Sequence, residues 1–235
     1  MKNLFLVLLI LIGINAAYSQ SKNPDEILKR VTETFEMIKD YEVDVLINVN
    51  VKFLKMPDRK AKIFYKQPDK IFVESEGFAL LPKQGLNFSP LTFLQTAHTA
   101  LIDRVEELNR INTTVIKVIP IGNKSDIILS TLWIDESRNL IMKIESSTKP
   151  DGSIVIEFQY SKIDDNFYLP STIVFTFDVD KVYFPTGITG EMNSESEKKD
   201  KKNDIAKQGK VTITYSNYKV NQGLSDELFK KESPN

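Results

Sequence analysis

The chain has 235 residues, 41% of them hydrophobic and 10% aromatic, which is enough apolar material for one sizeable core and argues against disorder. Its 31 Lys and Arg balance 32 Asp and Glu, so no basic excess marks it as a nucleic-acid binder. It contains no cysteine, which excludes disulfides, thiolate metal sites and a lipid anchor on a cysteine thiol.

The start has the three-part layout of a secretory signal peptide: Lys2 supplies the charge, Leu4 to Ile12 an unbroken apolar run, and Ala17 and Ser19 the small residues before a cut near Ser19. The run is too short to span a bilayer, which takes about 20 apolar residues. Residues 1–19 are therefore expected to be a leader and residues 20–235 a single domain that reaches the periplasm.

Asn23-Pro24-Asp25-Glu26 predicts a helix start, with Asn23 as cap, proline in the first turn and Glu26 at the capping-box position. Ile27, Leu28, Val31, Phe35 and Ile38 follow at helical spacing and give one apolar stripe. From Tyr41 the period changes to two. Val43, Val45, Ile47, Val49, Val51 and Phe53 alternate with mostly polar residues, as in a long half-buried antiparallel strand. Two more strands are expected at 61–66 and 70–74 around the turn Gln67-Pro68-Asp69.

Ser89-Pro90 repeats the cap-and-proline signal, and Leu94, Ala97, Leu101, Ile102, Val105 and Leu108 again recur at helical spacing. This predicts a second helix over about 90–109, preceded by an irregular apolar stretch at 77–87. Six strands are then expected at 113–121, 126–135, 140–147, 154–162, 169–183 and 210–219, joined by hairpin turns. Roughly nine strands in a meander would curl into a barrel or half-barrel. The segment at about 186–208 is polar and charged, and reads as a flexible loop.

Several strands are apolar on both sides. Ile173, Phe175 and Phe177 share one face while Val174 sits on the other, and Trp133 opposes Leu132 and Ile134. Such strands need cover on both faces, or one face lines a cavity. Periodicity alone favours a filled core.

Catalytic signatures are missing from the sequence. His98 is the single histidine, so no His/Cys metal site can be assembled. There is no phosphate-cradling glycine loop and no nucleophile elbow. Asp164-Asp165-Asn166 lacks the spacing of a calcium loop and reads as a turn. The sequence therefore predicts a protein that is not an enzyme and uses no cofactor or metal.

The order of these segments resembles the LolA-like family of periplasmic lipoprotein carriers, also called outer-membrane lipoprotein-sorting proteins. The resemblance is carried by Phe64-Tyr65-Lys66-Gln67-Pro68-Asp69-Lys70-Ile71, by Leu132-Trp133-Ile134-Asp135 with the return strand 141–144, by Asp151-Gly152-Ser153, by Tyr168-Leu169-Pro170, and by Tyr218-Lys219-Val220-Asn221 with the tail to Phe229. It implies an α+β, mostly β fold: a half-open antiparallel β-barrel covered by α-helices, whose apolar concavity takes the acyl chains of a lipid or lipoprotein. Membrane-associated donor and acceptor proteins would be partners, nucleic acid would not, and the carrier would act as a monomer.

On that basis the expected cavity lining is Val43, Val45, Ile47, Val49, Phe175 and Phe177, with Trp133 near the rim. The expected lid helices present Ile27, Val31 and Phe35, and Leu94, Leu101 and Val105. Where the family places an arginine that latches the lid through backbone carbonyls, this chain has Gln67, which can donate hydrogen bonds but brings no charge and no planar fork. The rival reading is an envelope protein-binding module with a filled β-barrel core; an envelope hydrolase working through carboxylates is a third.

Overall fold

The computed structural model describes residues 22–51, 54–55, 57–75, 94, 97–122, 127–149, 152–163, 167–178 and 208–230. The expected leader, the apolar stretch at 77–87 and the expected polar loop at about 186–208 lie outside these residues, apart from residue 208.

One helix, α1 (Pro24–Glu36), opens the described chain. Asn23 caps it, its side chain accepting from the Asp25 N–H at 3.0 Å, while Asp25 and Glu26 place negative charge in the first turn. Ile27, Leu28 and Val31 form its buried stripe.

Eleven strands follow: β1 (Asp40–Val51), β2 (Leu54–Lys55), β3 (Arg59–Lys66), β4 (Lys70–Glu74), β5 (His98–Leu108), β6 (Ile111–Pro120), β7 (Ile127–Asp135), β8 (Leu140–Thr148), β9 (Gly152–Lys162), β10 (Tyr168–Asp178) and β11 (Gln208–Val220). A short 3-10 turn, Asp226–Lys230, ends the described residues. All the strands join one antiparallel sheet in the order β4-β3-β1-β11-β10-β9-β8-β7-β6-β5, with β2 paired to β1. The sheet stays open: β4 and β5 end the path and do not pair with each other. The fold is thus mostly β, a half-open antiparallel sheet with helical cover on its inner face.

The second expected helix is corrected. The described part of 90–109 is strand β5, paired with β6 from His98↔Pro120 to Leu108↔Ile111. A bulge between Ile102 and Arg104 is the reason. It flips the alternation, so Ile102 opposite Ile116 and Val105 opposite Thr114 lie on one face although three residues apart. That spacing imitates a helix. Asn109 (φ 53°) and Arg110 (φ 66°) then make the two-residue turn into β6, a backbone shape suited to hairpins and foreign to a helix.

The strand expected over 169–183 is found as Tyr168–Asp178, the remainder lying outside the described residues. Register carries one apolar row across eight strands: Val49, Val211, Phe175, Ile156, Ile144, Leu132, Ile116 and Ile102, each opposite the next. The buried members of this row, the stripe of α1 and the inward residues of β1 and β3 make up most of the core, with Val49, Val211 and Ile102 packed against it.

Candidate functional site

The candidate site is the inner face of the sheet, the face that α1 packs against. Val43, Val45 and Ile47 alternate inward along β1 and are buried, as their period of two requires. Phe175 is buried on the same face, while Val49 remains half-buried. Phe177, opposite Ile154 on β9, is also half-buried. Six of the seven expected lining residues therefore lie on one face of the sheet, the face that α1 packs against.

Trp133 does not join them. Its neighbours Leu132 and Ile134 fill the core, and alternation turns the indole to the convex side. There its Nε1 donates to Glu106 at 2.7 Å, and Lys143 and Arg104 lie 4.5 and 5.8 Å from the ring centre. Cations over an indole face are attracted by its quadrupole, so this aromatic is covered by charge rather than by a ligand.

α1 lies across the concave face at one end of the sheet. Near its N-terminus, Lys22 and Arg30 reach Glu136, in the β7–β8 turn, at 2.7 and 3.3 Å, and Thr114 at the start of β6 donates to the same carboxylate. Burial pushes the Glu136 carboxyl up, but hydrogen bonds from Lys22 and Thr114 and the charges of Lys22 and Arg30 outweigh it and hold the group below the usual carboxylate range. At the other terminus, the Gln67 side-chain amide donates to the Glu36 carbonyl at 2.9 Å, Lys39 Nζ donates to the same oxygen at 2.9 Å, and Asn221 Nδ2 donates to Met37 O at 3.2 Å. These side chains occupy the carbonyls that a helix end leaves unpaired.

Of the expected lid residues, Ile27 and Val31 are buried and Phe35 is half-buried against the core. Leu94 packs against the core from a turn. Leu101 (41% exposed) and Val105 (64% exposed) belong to β5 and are not part of a lid helix.

The middle of the inner face is fully covered: Leu132, Ile134, Ile144 and Ile156 have no exposed surface. The flanks differ. Val49, Val211, Ile154 and Phe177 toward one end, and Tyr41, Tyr160, Tyr215 and Tyr218 toward the other, are all only half-buried. Sequence reasoning missed the tyrosine group, because it comes from β1, β9 and β11 and only the sheet order brings those strands into one curve.

Among the described residues no group of three His, Asp or Glu could hold a metal ion, and no helix is long and apolar enough to cross a membrane.

No protein-family model matches the chain. A 76-residue segment is 33% identical to an uncharacterized protein of Methanocaldococcus jannaschii; it spans 32% of this chain and only 22% of that relative. Solved structures give fuller matches. A putative outer membrane lipoprotein-sorting protein domain from Vibrio parahaemolyticus superposes with a TM-score of 0.58 at 12% identity, over 88% of this chain and 97% of the other. A DUF1329 family protein from Desulfovibrio piger gives 0.56 at 13% identity, over 88% and 98%. A LolA superfamily protein from Nitrosomonas europaea gives 0.54 at 13% identity, over 90% and 99%. The fold is LolA-like.

Proposed function

We propose that this protein is a non-enzymatic carrier of the bacterial envelope that holds the acyl chains of a lipid or lipoprotein against the concave face, handing them between membrane-associated donor and acceptor proteins. The observation that carries this reading is the apolar row from Val49 to Ile102, which runs across eight strands on the face that α1 packs against and keeps half-buried residues at both ends. Each methylene removed from water there contributes about 0.8 kcal/mol, so one long chain is held firmly. A fold neighbour described as a putative lipoprotein-sorting domain supports the same reading. Export through the leader at residues 1–19 belongs to it as well.

A second reading, a protein-binding module with a filled core, draws on the fully buried centre at Leu132, Ile134 and Ile144. Native mass spectrometry of the purified chain separates the two. The carrier reading expects co-purifying lipid that is lost in Val49→Asp, a half-buried position where a carboxylate leaves the fully buried centre intact. A bare protein mass after gentle extraction, with and without added lipid, sinks the carrier and favours the module.

A further inference from the structure

Four tyrosines converge inside the curve near the end crossed by α1. The Tyr41 ring meets Tyr218 edge-on at 5.8 Å, and Tyr215 stacks on Tyr218 at 6.1 Å. Tyr160 stacks on Phe158 at 6.1 Å. Two of the four hydroxyls are used by the fold: Tyr160 donates to Ile141 O and Tyr218 to Pro170 O, each at 2.8 Å.

The hydroxyls of Tyr41 and Tyr215 donate to no described residue, yet no fully enclosed side-chain oxygen or nitrogen among the described residues lacks a partner. Both oxygens therefore keep accessible surface, and open space adjoins them. The surrounding protein nevertheless desolvates both groups, pushing each phenol far above its ordinary range, with Tyr65 adding to the effect on Tyr41 and Tyr41 to that on Tyr215. Tyr215 stands opposite Val45, and Tyr41 alternates in step with Val43, so both rings are on the inner face and pack against the core. Both phenols stay protonated there at any physiological pH and act as donors.

The ligand chemistry follows from charge. Among the described residues no cation's charge acts on Tyr41 or Tyr215; the Arg138 charge reaches Tyr160, and its guanidinium is bound to Asp135 at 2.6 Å. An anion placed beside Tyr41 and Tyr215 would be desolvated without a counter-charge, which costs far more than two neutral hydrogen bonds return. A neutral acceptor loses little. We infer that Tyr41 and Tyr215 form a polar subsite within the apolar concavity that donates hydrogen bonds to a neutral carbonyl oxygen, such as the ester or amide carbonyl of an acyl ligand. This inference rests on the acyl-carrier reading and deepens it by assigning the ligand's polar end.

The test compares two probes of similar length, methyl palmitate labelled with ¹³C at the carbonyl and hexadecane, on the full chain and on Y41F, Y215F and the double variant. The unaltered protein binds both probes, and the bound ester shows a carbonyl stretch moved to lower frequency. The double variant loses about tenfold in ester affinity, as expected for two modest hydrogen bonds, and binds hexadecane unchanged. An unshifted stretch in the unaltered chain overturns the subsite and does not depend on any variant folding. Equal weakening of both probes, or no weakening of either, also overturns it while leaving the carrier reading intact. Tighter binding of palmitate anion than of the ester overturns the neutral-acceptor assignment. Failure of the unaltered chain to bind either probe removes the acyl-carrier reading and the subsite together.

Discussion

Gln67 Nε2 lies 2.9 Å from the backbone oxygen of Glu36, so a side chain in the β3–β4 turn holds the last turn of α1. The backbone repeats the link: Gln67 N–H donates to Lys39 O at 2.8 Å. The helix covering the concave face is thus pinned at this end by a neutral donor. A neutral hydrogen bond contributes about 1 kcal/mol, so this pin is easily released. Gln67→Ala is expected to speed amide exchange over the C-terminal half of α1 about fivefold, with little change in the exchange of the strands. Uniform exchange across helix and sheet would show that α1 does not move as a unit.

Asp40 ties down the C-terminal segment. Its carboxylate accepts from the backbone N–H groups of Gln222 at 2.8 Å, Gly223 at 3.0 Å and Leu224 at 3.3 Å, and is only 4% exposed. Gly223, at φ 75°, supplies the left-handed residue that lets successive N–H groups face one carboxylate. Asp40→Ala leaves those donors without an acceptor and is expected to destabilise the fold by about 3 kcal/mol in urea unfolding. The same variant should free the Lys66–Asp226 contact, 2.6 Å in the native fold, and expose 221–230 to limited proteolysis.

The N-terminal half of α1 depends on Glu136, whose folded pKa is lowered. A lowered carboxylate contributes stability that is fully present above its unfolded pKa, about 4.3, and is lost as pH falls through the folded value. Thermal unfolding of Glu136→Gln should therefore differ from the unaltered chain by about 1 kcal/mol near neutrality and converge with it in acid. A constant offset from pH 7 down to pH 3 would mean that the ion pairs with Lys22 and Arg30 contribute nothing.

Leu132, between Ile144 and Ile116 in the eight-strand row, has no exposed surface. Leu132→Ala opens a hole that cannot refill, at a cost of about 2–5 kcal/mol. The corresponding change at half-buried Val49 is expected to cost about 1 kcal/mol or less. Equal losses at the two positions, measured by chemical denaturation, would show that the flanks are packed as tightly as the middle.

Much of this architecture was legible where one chain segment contains its own instructions. Asn23-Pro24 and the stripe Ile27, Leu28, Val31 suffice to place α1, and the alternation from Tyr41 to Val51 suffices to place β1. β5 carries a helical pattern in its sequence because a bulge between Ile102 and Arg104 puts residues three apart on one face, and nothing within the segment distinguishes that from a helical turn. Trp133 carries the complementary lesson. Its direction follows from Leu132 and Ile134 beside it, whereas Glu106, Arg104 and Lys143, which surround it, come from two other strands. The tyrosine group is equally non-local. Only the pairing of β11 with β1 brings Tyr215 opposite Val45 and into the same curve as Tyr41.

The ladder ends at β4 and β5, which are not bonded to one another. A closed cylinder has its girth dictated by strand number and stagger. An unclosed one has no such constraint: how tightly it curls depends on the bulk packed inside the arc, and it can relax outward or draw inward without breaking a single rung. Contents of different width would then be met by a change in bend, at the expense of side-chain contacts alone.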